Sequence, residues 1–242
     1  MNSVKVLDVK HHTEKLFTFV TERPQTFRFN TGEFIMLGLN DPQTGKPIMR
    51  AYSMVSTKYD DHLEFYSIKV PNGPLTSMLK DIQIGSEIFL SKKPTGSLVV
   101  DYAHKKENLV LLSTGTGIAP FVSIVTDPET YNRFENVYLF HTVRKLAELA
   151  HVIRLTELQQ EMYPNLEYIH TVTEEPHERE GRFWDYIEDY LPAGFQQQRD
   201  SVMVCGSPEL NKHCREYFTG MGWEEGNHGE LGDFLLERAF AG

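Results

Sequence analysis

Four consecutive apolar residues, Leu109-Val110-Leu111-Leu112, run straight into Ser113-Thr114-Gly115-Thr116-Gly117-Ile118-Ala119-Pro120. A short run that is apolar on both faces reads as a strand buried on both sides. The glycines let the backbone turn tightly, and Pro120 suits the first turn of a helix. Strand, glycine loop and helix in that order open a parallel α/β sheet, and such a loop can approach a pyrophosphate at the helix N-terminus. The pattern departs from G-x-G-x-x-G, because Pro120 stands where the third glycine would be. Gly-x-Gly alone also fits a plain turn; the strand before it and the helix after it favour a dinucleotide.

The same grammar continues downstream. Strand-like runs at 137–140, 166–169 and 202–204 alternate with helical stretches. One is a long stretch through Leu149, Val152, Ile153 and Leu158, another spans about 182–190, and a third starts at Pro208. Strands alternating with helices imply a parallel sheet covered on both faces. The first hundred residues read differently. Short runs of β-formers at 4–7, 16–20 and 34–37, a strand carrying Arg50, and runs at 63–70, 87–90 and 98–100 are separated by turns and predict a small closed antiparallel barrel. Residues 75–80 predict a short helix with Leu75, Met78 and Leu79 on one side. The change near residue 101 divides the chain into a barrel domain, 1–101, an α/β domain, 102–232, and a C-terminal tail, 233–242, that begins with a strand-like piece.

Composition removes several classes of function. The chain has 242 residues, is 40% hydrophobic and carries a net charge of −10, so nucleic acid is not an expected partner. No apolar run is long enough to span a membrane, and the first residues look like neither a signal nor a transit peptide, so a cytoplasmic protein is expected; a monomer is the separate expectation for its assembly. Two cysteines, Cys205 and Cys214, exclude a disulfide framework, a four-cysteine zinc site and a cysteine-ligated cluster within this sequence. No metal site is expected: His11 and His12 are neighbours, fall on opposite faces of a strand, and read as surface residues.

Two further stretches carry chemistry. Lys46-Pro47-Ile48-Met49-Arg50-Ala51-Tyr52-Ser53 brings together a cation for a diphosphate, a flat ring and a small hydroxyl, a set that suits a flavin nucleotide or, more plainly, a strand with a surface arginine. Cys205-Gly206-Ser207-Pro208 ends the fourth strand of the α/β half, where ligands of open sheets bind, so Cys205 either lines a cleft or closes the strand as a small buried residue. Cys214 reads as core.

Arg50 to Ser53, Gly73-Pro74-Leu75-Thr76-Ser77, Ser113 to Pro120, Cys205 to Pro208 and a terminal Glu237-Arg238-Ala239-Phe240 occur here in that order. Together they resemble the ferredoxin–NADP reductase family in its bacterial branch, over nearly the whole chain. The resemblance implies a six-stranded barrel holding FAD and an α/β domain holding NADP(H). By it, Arg50 meets the FAD diphosphate, and Ala51, Tyr52 and Ser53 the flavin ring. Tyr66 and Ile68 lie along the flavin, and Leu75, Thr76 and Ser77 hold the diphosphate. Thr116 faces the flavin rim or the pyrophosphate. The NADP set is Thr114, Gly115, Gly117, Val143, Arg144, Thr173, Glu174, Arg182, Gly206 and Ser207. Ser53, Cys205 and Glu237 are the catalytic polar groups around the nicotinamide–flavin contact. Ala239 takes the place of the plant branch's terminal tyrosine, with Phe240 over the flavin. The partner implied is a separate ferredoxin or flavodoxin, docked on a basic patch for which Lys46, Lys80, Lys92 and Lys93 are the candidates.

One position departs from the family pattern. Thr173-Glu174-Glu175-Pro176 has a carboxylate where relatives carry an arginine between Arg144 and Arg182. An acid there repels a 2′-phosphate and can accept from a ribose 2′-OH, which favours NAD. The alternatives on this fold are an NADH- or NADPH-dependent flavin, ferric or oxygenase-component reductase, and a non-catalytic flavin-binding module.

Overall fold

The structure, a computed structural model, describes residues 1–70 and 73–238. Six strands form the first half: β1 (Asn2–His11), β2 (Leu16–Glu22), β3 (Phe34–Asn40), β4 (Pro47–Ser53), β5 (His62–Ile68) and β6 (Glu87–Leu90). They pair antiparallel in the order β4-β3-β6-β1-β2-β5, and a bridge between Met54 and Phe65 joins the two outer strands into a barrel. Side chains alternate across each strand, so Val4 and Val6, Ile35 and Leu37, and Leu63 and Phe65 fill the inside. The short helix α1 (Thr76–Leu79) plugs the barrel with Leu79, and Leu75 just before it is buried in the same core.

The second half is a parallel sheet of β7 (Asn108–Thr114), β8 (Asn136–Val143), β9 (Leu166–Val172), β10 (Asp200–Gly206) and β11 (Phe234–Arg238), in the order β11-β10-β7-β8-β9. Helices α2 (Ala119–Thr126), α3 (Pro128–Arg133), α4 (Val152–Glu157), α5 (Ile187–Tyr190) and α6 (Pro208–Gly220) connect the strands. Along β7, Leu109 and Leu111 join the core packed on α2, while Val110 and Leu112 join the core packed on α6. The apolar run thus serves both faces. The chain steps from β7 outward to β8 and β9, then returns to lay β10 on the other side of β7. Ligands of open sheets bind where that direction reverses, beyond the carboxyl ends of β7 and β10. Leu16, Val55, Tyr66 and Leu98 of the first half belong to the α2-side core, so the two halves are joined through apolar packing.

Five expectations are corrected. Residues 98–100 are not a strand: Gly96 at φ +145 turns the chain, and Val100–Tyr102 forms one turn of 3-10 helix on the way between the halves. The long helix through 149–158 is broken into a 3-10 turn, Leu146–Glu148, the six residues of α4, and a π-helical turn, Leu158–Met162. Glu148, the last residue of that first turn, and Glu175, from outside it, hold the turn in place, as described below. The stretch from 182 to 190 is a 3-10 turn, Phe183–Tyr186, followed by the four residues of α5. His12 is only partly exposed: its ring packs on Tyr66 and faces His151 across the joint. Residues 234–238, expected as the start of a tail, form the edge strand of the parallel sheet. Among the described residues no helix is long and apolar enough to cross a membrane.

Candidate functional site

The loops after β7 and β10 interlock at the reversal point. A Cβ on Gly117 would stand 2.1 Å from the Cys205 carbonyl oxygen, and one on Gly206 would stand 2.3 Å from Thr114 Oγ1. Both positions therefore require glycine for loop-to-loop contact. Gly115 needs it for another reason: its surroundings are open, but its φ is +54. Ser207 N donates to Thr114 Oγ1 at 3.1 Å, and Ser207 Oγ accepts from Leu210 N at 3.2 Å, capping the N-terminus of α6.

In front of these loops lies a cleft of about 420 Å³, within the usual span of small-molecule sites. Of the residues expected around a nucleotide, Thr114, Gly115, Thr116, Val143, Arg144, Thr173, Arg182 and Ser207 line it. Gly117 and Gly206 lie behind its wall. Glu174 is exposed beside the cleft and does not line it; its N–H donates to the Arg144 carbonyl at 2.9 Å. The carboxylate that does line the cleft is Glu148, which the sequence reading missed. It accepts from Arg144 N at 2.9 Å and from Arg144 Nη2 at 3.1 Å. The Arg144 side chain is still 56% exposed, so this pair is open to exchange with a stronger anion. Glu175 is used structurally, its Oε2 accepting from Leu146 N at 2.9 Å. Trp184 was also missed. It lines the cleft two residues after Arg182, with His213 and Tyr217 packed against its ring. The available signals were the four-residue spacing of Arg144 and Glu148, and an aromatic residue next to an arginine already singled out. Among the described residues Arg182 has no carboxylate within ion-pair distance.

The cleft continues into a slot between the two halves. Ala51, Tyr52, Ser53, Tyr66, Ser67 and Ile68 form its barrel side, and Thr116, Ala119 and Cys205 the other. Tyr52 is set by Ser67, 3.3 Å from its hydroxyl, and by edge contacts with Phe19 and Phe65. Tyr66 donates to the Glu148 carbonyl at 3.2 Å and meets His151 edge-on at 5.0 Å. Burial raises both tyrosines above the ordinary phenol value, so both rings stay neutral. Arg50 donates to the Met49 carbonyl at 2.9 Å and, among the described residues, pairs with no carboxylate. Two neutral rings and the small residues Ala51, Ser53 and Ala119 along the slot suit a flavin ring, and Arg50, which precedes Ala51 on β4 and does not itself line the slot, suits the diphosphate of a flavin nucleotide. Leu75, Thr76 and Ser77 do not line the slot. Leu75 is fully buried, Thr76 Oγ1 is held by the Val70 backbone, and Ser77 Oγ lies 3.4 Å from the Pro74 carbonyl.

Ser53 and Cys205 face each other across the slot, whereas Glu237 does not line it. Glu237 is Cys205's register partner on β11, and its Oε1 accepts from Ser97 N at 2.5 Å and lies 3.3 Å from Ser97 Oγ. Burial pushes the Glu237 carboxyl up to about 7, against the pull of those donors. Cys205 is 1% exposed, and burial with Glu237 nearby raises its thiol well above the usual value, so it is not an anion. Ala239 and Phe240 lie outside the described residues. Cys214 is core, as expected. Of the candidate docking lysines, Lys46 precedes β4 and is separated from Ser53 by its whole length, roughly 20 Å of strand. Lys80 stands beside Asp81 at 3.9 Å.

Residues 4–99 match the family described as oxidoreductase FAD-binding domain, and residues 111–216 match oxidoreductase NAD-binding domain. Barrel, parallel sheet and the slot between them are thus those of a two-domain oxidoreductase. The chain is 45% identical over 251 residues to ferredoxin–NADP reductase A of Sorangium cellulosum, covering 98% of this chain and 89% of that one. It is 43% identical to a flavodoxin/ferredoxin–NADP reductase of Rhodobacter capsulatus, over 98% and 92% of the two chains. A crystal structure of a ferredoxin NADP+ reductase from Neisseria gonorrhoeae with bound FAD and NADP superposes with a TM-score of 0.90 at 33% identity, over 99% and 98% of the chains. The chain belongs to the ferredoxin–NADP reductase family.

Proposed function

We propose that this chain is an FAD-dependent oxidoreductase that exchanges electrons between NADP(H) and a ferredoxin or flavodoxin. The observation that carries the reading is that slot and cleft share Thr116 and Ile68, so a ring in the first adjoins a nucleotide in the second. In this reading Arg50 holds the FAD diphosphate, Tyr52 and Tyr66 flank the flavin, and Ser53 and Cys205 border the place where nicotinamide meets it. Bound FAD supplies a junction that takes a two-electron hydride and passes electrons on singly. The chain's own work is to orient the two rings and keep water out, which the buried Cys205, Ala119 and Tyr66 do. Ser53 and Ser67 line the slot, but no histidine, carboxylate or lysine among the described residues lines it with them to activate a hydroxyl as a hydrolase does. Glu237 acts in this reading through the joint, holding the Ser97 turn. Two cysteines are too few for a cysteine-ligated cluster, so an iron–sulfur partner is a separate protein in this reading.

The second reading, an NADH-preferring reductase, draws on Glu148, which already occupies Arg144. The test is kcat/KM for NADPH and for NADH with FAD-loaded protein and ferricyanide, followed by reduction of ferredoxin and of flavodoxin. The expected result is a preference for NADPH that falls about tenfold in Arg144→Ala and in Arg182→Ala. Equal rates or an NADH preference would replace the lead reading by the second. Bound flavin without turnover on either nucleotide would leave a binding module.

A further inference from the structure

We propose that His141 and Tyr168 are positioning residues for the nucleotide loop, acting as a relay that fixes the Gly115–Thr116 peptide and aims its N–H into the cleft. This rests on the reading of the cleft given above. His141 sits on β8 beside Ser113 of β7, with its ring 2% exposed under the loop. Its Nε2 lies 3.0 Å from the Gly115 carbonyl oxygen, and its Nδ1 lies 3.2 Å from the Tyr168 hydroxyl on β9.

The chemistry of those partners fixes every proton. A carbonyl only accepts, so Nε2 carries the hydrogen. Burial keeps the ring neutral, pushing its pKa down to about 4. Nδ1 is therefore bare and accepts from the Tyr168 O–H, which burial keeps protonated. The hydroxyl thus selects the tautomer, and the tautomer supplies the donor that Gly115 needs. In a planar trans peptide the C=O and the following N–H point in opposite directions. A Gly115 carbonyl tied inward to His141 turns the Thr116 N–H outward, toward the cleft and slot that Thr116 lines. Gly115, at φ +54 with nothing packed within 4 Å of where a Cβ would stand, has no side-chain means of holding that plane. The relay provides it from below.

The test compares His141→Leu, His141→Gln and Tyr168→Phe as FAD-loaded proteins. The Kd for NADP+ is read from the flavin difference spectrum, KM and kcat with ferricyanide, and the His141 tautomer from its ring ¹⁵N shifts. His141→Leu is expected to weaken NADP+ about tenfold and to raise KM more than it lowers kcat, with FAD content unchanged. His141→Gln, whose amide nitrogen lies the same number of bonds from Cβ as Nε2, is expected to restore binding to within about threefold. Tyr168→Phe is expected to move the ¹⁵N pattern from pure Nε2–H toward a tautomer mixture, with an intermediate Kd. Wild-type NADP+ affinity in His141→Leu, or a folded His141→Gln as poor as the leucine variant, overturns the relay. Should His141→Leu fail to fold, Tyr168→Phe decides alone, and an unchanged ¹⁵N pattern overturns it. A wild-type protein that binds neither NADP+ nor NAD+ overturns the reading of the cleft and this proposal with it.

Discussion

The slot and the cleft share two residues and are built in opposite ways. The slot is walled by side chains of finished cores: Tyr66 and Cys205 are buried, and Tyr52 leans on the Phe19 and Phe65 of the barrel interior. The cleft is walled by loop backbone and by exposed charges, among them Arg144 on Glu148 and Arg182, which pairs with no carboxylate side chain among the described residues. Packed side chains hold a shape; loops and screened ion pairs yield and re-form. In the proposed function one occupant stays through many turnovers and the other leaves after each. The physical difference between the two sites matches that division.

Gly117→Ala attacks the comparison at the shared wall, and it should have the largest effect. The new methyl meets the Cys205 backbone rather than a side chain that can swing aside. Because small misplacements of reacting groups are costly, kcat/KM with NADPH should fall about a hundredfold. Retained activity in the alanine variant would show that the loops are not locked. Arg50→Ala separates the two sites. FAD affinity, read by fluorescence titration of the apoprotein, should drop about ten- to a hundredfold, while the KM for NADPH of the FAD-saturated variant stays unchanged. A KM that rises in parallel would mean that slot and cleft are one site.

The third prediction concerns the joint that both sites depend on. The Glu237 carboxyl is near 4.5 unfolded and about 7 folded. Between those values the native state binds more protons than the unfolded one, so this group's contribution to stability is complete below about pH 4.5 and is lost as pH rises through 7. Urea unfolding at pH 5 and pH 8 should show wild type losing about 2.5 kcal/mol relative to Glu237→Gln. The same pH dependence in both proteins would remove Glu237 from the joint.

Much of this was legible in the chain. The run Leu109 to Leu112 announced a doubly covered strand because both of its faces are apolar, and Gly115-x-Gly117 marked the loop that follows. Local rules failed where distant residues decide. Nothing local breaks the stretch from 146 to 162. The break comes with Glu148 reaching back to Arg144 and Glu175 reaching across to Leu146. Val99 and Val100 favour strands, yet Gly96 turns them into the crossing between halves. Nothing local shows that Leu75 packs into the barrel core or that Thr76 Oγ1 is tied to the Val70 backbone. Trp184 and His141 act through neighbours far away in sequence, which only the sheet order brings together.

The pairing of β11 with β10 has a consequence for biosynthesis. Every other strand leaves the ribosome before Phe234–Arg238 does. Until then the free edge of β10 lacks its neighbour, and the N–H of Ser97 lacks the Glu237 acceptor. The barrel can close early, since its strands lie within the first ninety residues and N-terminal units fold first. The joint cannot. A nascent chain therefore carries a finished barrel beside an unfinished wall, and the place where two redox groups are to meet is completed only after the ten strands before β11 have been made.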